Sequence, residues 1–116
     1  MKKHTDIKQS KYLYNIGIDP NTADMCWGLD AESLQYNNVP YLLPWKDYTA
    51  KNVYIPVWSL TALLMLIPHV NLAIWNDGTW ICSSFDDANH FKEDATGDNP
   101  VDAAYELLVK LNTNIV

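Results

Sequence analysis

The chain has 116 residues, 48% of them hydrophobic and five of them tryptophan, and 14 acidic against 8 basic residues leave a formal net charge of −6. That apolar content excludes a disordered chain, and the length suits one core that needs no staples. All the basic residues are lysines, so the basic face and the arginine forks that nucleic-acid recognition relies on are both missing, and a nucleic-acid partner is not expected.

The first predicted element is a weakly patterned helix from about Thr5 to Ile16, with Gly17 placed as its C-terminal cap and Ile18 as the hydrophobic contact beyond it. Asp19-Pro20 reads as an N-cap followed by proline at the first helical position, opening a short turn through Asp24. Met25 to Leu29 reads as a strand. Asn37 to Asp47 holds two prolines and paired asparagines and reads as irregular. Lys51 to Val57 reads as a short strand, with Pro56 ending its part in the ladder.

The segment from Ile55 to Pro68 is the most apolar in the chain. Ser59 is its natural N-cap, Trp58 and Leu63 are spaced for a hydrophobic staple, and Pro68 stops the helix. Leu60, Leu63, Leu64 and Ile67 lie on one helical face, and Met65 and Leu66 extend the apolar surface, which predicts burial on several sides. The segment is too short to span a bilayer, and no apolar run follows Met1-Lys2-Lys3 as a signal peptide would require, so no membrane association is expected.

His69 to Trp75 and Thr79 to Phe85 are β-rich runs joined by Asn76-Asp77-Gly78. A two-residue Asp77-Gly78 turn would set Ile74 opposite Ile81 and Val70 opposite Phe85, facing the central helix, with Trp75 opposite Trp80 and Ala73 opposite Cys82 on the other face. The Trp75–Trp80 pair is then either a second buried face or an exposed aromatic patch. Asp86 to Asp98 reads as a polar loop with at most one helical turn. The last helix is capped by Asn99, with Pro100 at its first position, Asp102 at its third, and a buried stripe of Val101, Ala104, Tyr105, Leu108 and Leu111. The inferred fold is a single α+β domain over residues 1–116, an antiparallel sheet centred on the hairpin with two to three helices packed on one face.

Three motifs taken together are similar to a known group: Pro56-x-Trp58-Ser59-Leu60-x-x-Leu63-Leu64-x-x-Ile67-Pro68, Gly97-Asp98-x-Pro100-x-Asp102-Ala103-x-Tyr105-x-Leu107, and Gly17-Ile18-Asp19-Pro20-x-Thr22-Ala23-Asp24-Met25. The combination resembles small phage- and prophage-encoded proteins of gut bacteria, over roughly residues 10 to 112. The resemblance implies a mobile-element origin and a place in the bacterial cytoplasm, and it brings no activity and no catalytic residues.

Candidate chemistry is sparse. Asp87, His90 and Asp94 would share one face if their segment were helical and could hold a divalent metal or share a proton, although the segment lacks the glycine of a calcium loop. His69 reads as a partly buried, hydrogen-bonded residue at the start of a strand, and Ser59 is explained by capping. Cys26 and Cys82 have no metal or redox spacing and read as reduced thiols. No phosphate loop, dinucleotide fingerprint or nucleophile elbow occurs, and no cofactor is implied. Trp27, Tyr36, Tyr41, Trp45 and Tyr48 fall in or beside the irregular region. The first reading of function is therefore a non-enzymatic accessory protein that binds another protein or itself, with Trp45, Tyr41, Tyr48, Trp75 and Trp80 as candidate contacts. The second is a small-molecule or carbohydrate binder using the aromatic loop 36–48, and the third a metal-assisted hydrolase centred on His90.

Overall fold

The computed structural model describes residues 1–30, 35–36 and 54–113. The chain divides into two compact units, His4–Ser59 and Met1–Lys3 with Leu60–Val116. Both combine helix with antiparallel sheet, so the α+β class holds, and there are two sheets where the sequence suggests one.

In the unit His4–Ser59, helix α1 (Ile7–Asn15) starts at Asp6, whose carboxylate accepts from the Gln9 N–H at 2.8 Å while the Gln9 side chain accepts from the Asp6 N–H at 3.1 Å. The helix ends as its glycine suggests. Ile18 N–H donates to Leu13 C=O at 3.1 Å and Gly17 N–H to Tyr14 C=O at 3.2 Å, and both Leu13 and Ile18 are buried. A 3-10 turn over Pro20–Thr22 follows, capped by Asp19 with a 2.9 Å bond from Asn21 N–H. Strand β1 (Met25–Asp30) lies between β2 (Gln35–Tyr36) and β3 (Tyr54–Val57). Pro56 does not end β3; it sits opposite Cys26 within it, on a strand that among the described residues pairs with β1 alone, the edge position where a proline is tolerated.

The centre of this unit is Trp58, fully buried. Its indole N–H donates to Thr22 Oγ at 2.9 Å, its backbone N–H to Thr5 Oγ at 3.1 Å, and Thr5 Oγ meets Ser10 Oγ at 2.8 Å. Thr5 and Ser10 are both buried, and these bonds supply the partners their hydroxyls need. Ser59 engages Asp24 twice, its N–H donating to Oδ1 at 3.0 Å and its hydroxyl to Oδ2.

In the other unit, helix α2 spans Leu60–Met65, with Ala62, Leu63 and Ile67 buried. The expected burial on several sides is corrected here: Met65 is 82% exposed and Leu64 only half-buried, because a six-residue helix has room for one inward stripe. Strands β4 (Asn71–Ile74), β5 (Trp80–Phe85) and β6 (Phe91–Gly97) form the second sheet in that order. The strand β6 corrects the polar loop expected there. Helix α3 (Pro100–Thr113) lies over β5 and β6. Asn99 caps it, accepting from Asp102 N–H at 2.9 Å and donating its amide to the Asp102 carboxylate at 2.8 Å. Lys2 adds an ion pair to Asp102 at 2.9 Å. The buried stripe includes Val101, Ala104 and Leu108 as expected, but Ala103 and Leu107 complete it, and Tyr105 and Leu111 are half-exposed.

Candidate functional site

The second sheet has an inner and an outer face, and counting registers separates them. Cys82 and Ser84 are fully buried, Ala95 opposite Cys82 is nearly so, and Gly97 opposite Trp80 abuts the start of α3. These residues define the inner face beneath the helix. Ile81, Ser83 and Phe85 alternate with them and point outward. The two hairpins of this sheet share one turn design. In the first, Gly78 N–H donates to Trp75 C=O at 3.0 Å, Trp75 N–H donates to Thr79 C=O at 2.8 Å, and Gly78 has φ +90°. In the second, Asn89 N–H donates to Asp86 C=O at 3.0 Å, Asp86 N–H donates to His90 C=O at 2.9 Å, and Asn89 has φ 62°. Each is a three-residue loop closed by a left-handed residue.

That loop length corrects the register. With three loop residues rather than two, Ile74 pairs with Trp80, Ala73 with Ile81 and Leu72 with Cys82. A shift of one residue exchanges the faces of one strand relative to the other. Trp75 and Trp80 are therefore not a cross-strand pair. Trp80 lies on the inner side, half-buried, and Trp75 on the outer side, 51% exposed. Ile81 and Phe85 do not face a central helix; they lie half-buried on the outer face. A bulge at Ser84/Phe85 sets Phe91 opposite Phe85, with the rings edge-to-face at 6.2 Å and Phe91 58% exposed.

The margin formed by β4 stands out further. Ala73 is exposed and Ile74 is 55% exposed, so Ala73-Ile74-Trp75 presents apolar side chains on both sides of an edge strand. Edge strands are commonly blunted by charge, proline or cover. β6 at the other edge carries Lys92, Glu93 and Asp94, whereas Asn71 to Trp75 carry no charge.

The acidic loop lies at the end of the sheet away from Gly78. His69, with φ 46°, sits in a turn before β4 rather than at a strand start, and its Nε2 meets Asp87 Oδ1 at 2.9 Å. His90 Nδ1 lies 3.4 Å from Asp86 Oδ2. Asp86 is chiefly a turn residue: its Oδ1 accepts from His90 N–H at 2.8 Å and Ala88 N–H at 2.9 Å, and the His90 bond foremost holds its carboxyl below the usual range. Thr79 N–H does the same for Asp77. Asp94 is on β6, its carbonyl accepting from Lys110 Nζ at 2.8 Å. The helical face expected to gather Asp87, His90 and Asp94 is thus replaced by a loop and a strand, and among the described residues no three His, Cys, Asp or Glu side chains could hold a metal ion.

Burial pushes both thiols, Cys26 and Cys82, up to about 11, so each is protonated near neutral pH. Tyr41, Trp45 and Tyr48 lie outside the described residues, while Trp27 and Tyr36 belong to β1 and β2. The sequence places Ile74, Ile81 and Phe85 against the central helix rather than on an open surface, and Phe91 is not among its candidate contacts. The signal available was Asn76-Asp77-Gly78 read as a three-residue loop. No helix among the described residues is long and apolar enough to cross a membrane. Comparison of the chain with protein families, with curated proteins and with solved structures finds no match.

Proposed function

We propose that this protein acts by binding another protein, using the uncharged margin and outer face of the β4–β5–β6 sheet. The observation that carries the reading is the exposure of Ile74, Trp75 and Phe91 on one small sheet, at 55%, 51% and 58%. Ile74 and Trp75 lie together at the β4 margin, and Phe91 stands at the other edge beside Phe85; large exposed apolar residues mark contact surfaces, and Trp and Phe are enriched in the cores of such surfaces. The net charge of −6 without arginine favours a protein over a nucleic acid as the partner. The resemblance to phage-encoded proteins points to an accessory role in the bacterial cytoplasm, toward a protein of the host or of the phage.

Affinity capture from host-cell lysate, with and without phage infection, tests this when run beside a Trp75→Ser/Phe91→Ser variant. One stoichiometric partner that the variant fails to retain is the expected result. A partner retained equally by both proteins would place the contact elsewhere, and an empty capture would remove the reading in favour of ligand and metal screening.

A further inference from the structure

Two polar side chains on the outer face, next to the Phe85–Phe91 contact, have acceptor oxygens that the fold does not use. Ser83 and Asp94 stand opposite each other on β5 and β6, and they lie on the outer face because Cys82, Ser84 and Ala95 alternate with them toward α3. Trp75 N–H donates to Thr79 C=O, so by alternation Ser83 turns its backbone groups to Asn71, and Ser83–Asp94 is a close, non-hydrogen-bonded pair. Asp94 accordingly turns its carbonyl to the open edge, where Lys110 Nζ donates to it at 2.8 Å. Ser83 and Asp94 are both half-buried. Among the described residues, no donor meets the Asp94 carboxylate or the Ser83 hydroxyl.

The carboxylates near them are engaged. Asp86 holds the His90 and Ala88 N–H groups and is within the field of Lys92, and Asp87 meets His69. Asp94 is thus a half-buried charge without the donors such a charge requires. Beside it, one step diagonally along the same face, stand the Phe85 and Phe91 rings, edge-to-face at 6.2 Å with Phe91 58% exposed. Diagonal neighbours on a sheet face are about 7–8 Å apart, a gap that one side chain can bridge.

We propose, resting on the reading of this face as a protein-binding surface, that Asp94, Ser83 and the Phe85–Phe91 pair form a site for an arginine side chain of the partner protein. A guanidinium is planar, carries five donors in a fork that matches a carboxylate, and stacks on aromatic rings. One such group would supply the missing donors to Asp94 and Ser83 while covering the open face of Phe91. An apolar occupant would bury the carboxylate unpaired, and an acidic one would be repelled by it and by the net charge of −6. This chain contains no arginine, so a second copy of it cannot supply the group.

The test titrates a tri-arginine peptide into the isotope-labelled full chain and follows backbone amide shifts by nuclear magnetic resonance. A tri-lysine peptide of equal charge is run beside it, and the measurements are repeated on Asp94→Asn, Phe91→Leu and Asp98→Asn. Asp98 is exposed past the end of β6, so its variant removes the same charge away from the site. The expected shifts centre on Ser83, Phe85, Phe91 and Asp94, with arginine bound more tightly than lysine. Asp94→Asn should weaken binding about five- to tenfold and Phe91→Leu about two- to fivefold, while Asp98→Asn stays within about twofold of wild type. Native near-ultraviolet circular dichroism of each variant separates these losses from unfolding. Equal losses for Asp94→Asn and Asp98→Asn, shifts scattered over all the carboxylates, or no binding at low salt would overturn the arginine site. A lysate partner that Asp94→Asn retains in full, but Trp75→Ser/Phe91→Ser does not, would overturn the arginine site alone and leave the broader reading standing.

Discussion

Gly97 sits where strand and helix come closest. A Cβ built there would lie 2.7 Å from Ala103 N and 3.0 Å from the Asp102 carbonyl carbon. Those are backbone atoms at the start of α3, and they cannot swing aside as a side-chain tip could. Gly97→Ala should therefore destabilise by about 1–3 kcal/mol through forced separation of β6 and α3, measured by urea unfolding. Asp86 makes a second residue-scale prediction, one about pH. Bonds from His90 and Ala88 N–H hold its carboxyl below the ordinary value, so the stability it confers is complete above about pH 4 and is lost as pH falls through the lowered folded value. Asp86→Ser keeps an acceptor for the turn without a titrating charge. The wild type should lose more stability than this variant as the solution is acidified below about pH 4, and parallel unfolding curves would remove Asp86 as a source of acid sensitivity.

The elements differ in how openly the sequence declares them. α3 carries Asn99, Pro100 and Asp102 in the order a helix start requires, and the structure forms that cap bond for bond. The ends of α1 divide: Gly17-Ile18 signals its C-terminus, whereas its start is set by the Asp6 to Gln9 capping box, one residue later than the expected Thr5. β6 was not legible. Phe91-Lys-Glu-Asp-Ala-Thr-Gly is poor in strand formers, and only its place between the second hairpin loop and α3 makes it extend. The candidate surface was hidden by one residue of register, since Asp77-Gly78 satisfies a two-residue turn as well as the last part of a three-residue one. Helix faces were legible to within a residue, and α3 shows the consequence. Leu107 is fully buried although it lies outside the expected stripe, and Leu111, inside it, is half-exposed. Leu107→Ala should cost about 2–5 kcal/mol in chemical denaturation. Leu111→Ala should cost clearly less, and equal losses would mean that α3 is turned differently on the sheet.

For the whole molecule, solubility and association are opposed through net charge. The sequence sets zero net charge near pH 4.7, and at neutral pH the formal charge of −6 opposes the approach of copies despite Ile74, Trp75 and Phe91 in the open. Lowering the pH toward 4.7 removes that repulsion before it disturbs the hairpins, because Asp77 and Asp86 hold their turn bonds with carboxyls that titrate below the ordinary range. The acid limb should therefore show folded protein associating first and unfolded protein only at lower pH. Static light scattering with near-ultraviolet circular dichroism on the same samples separates the two. Scattering should climb near pH 4.7 while the aromatic signal stays native, and Trp75→Ser/Phe91→Ser should flatten that climb at unchanged net charge. If the variant scattered as wild type does, charge neutralisation alone would account for the association, and the sheet margin would have no part in it. If the aromatic signal were lost before scattering rose, association would follow unfolding, and the exposed residues of the native sheet would not be its cause.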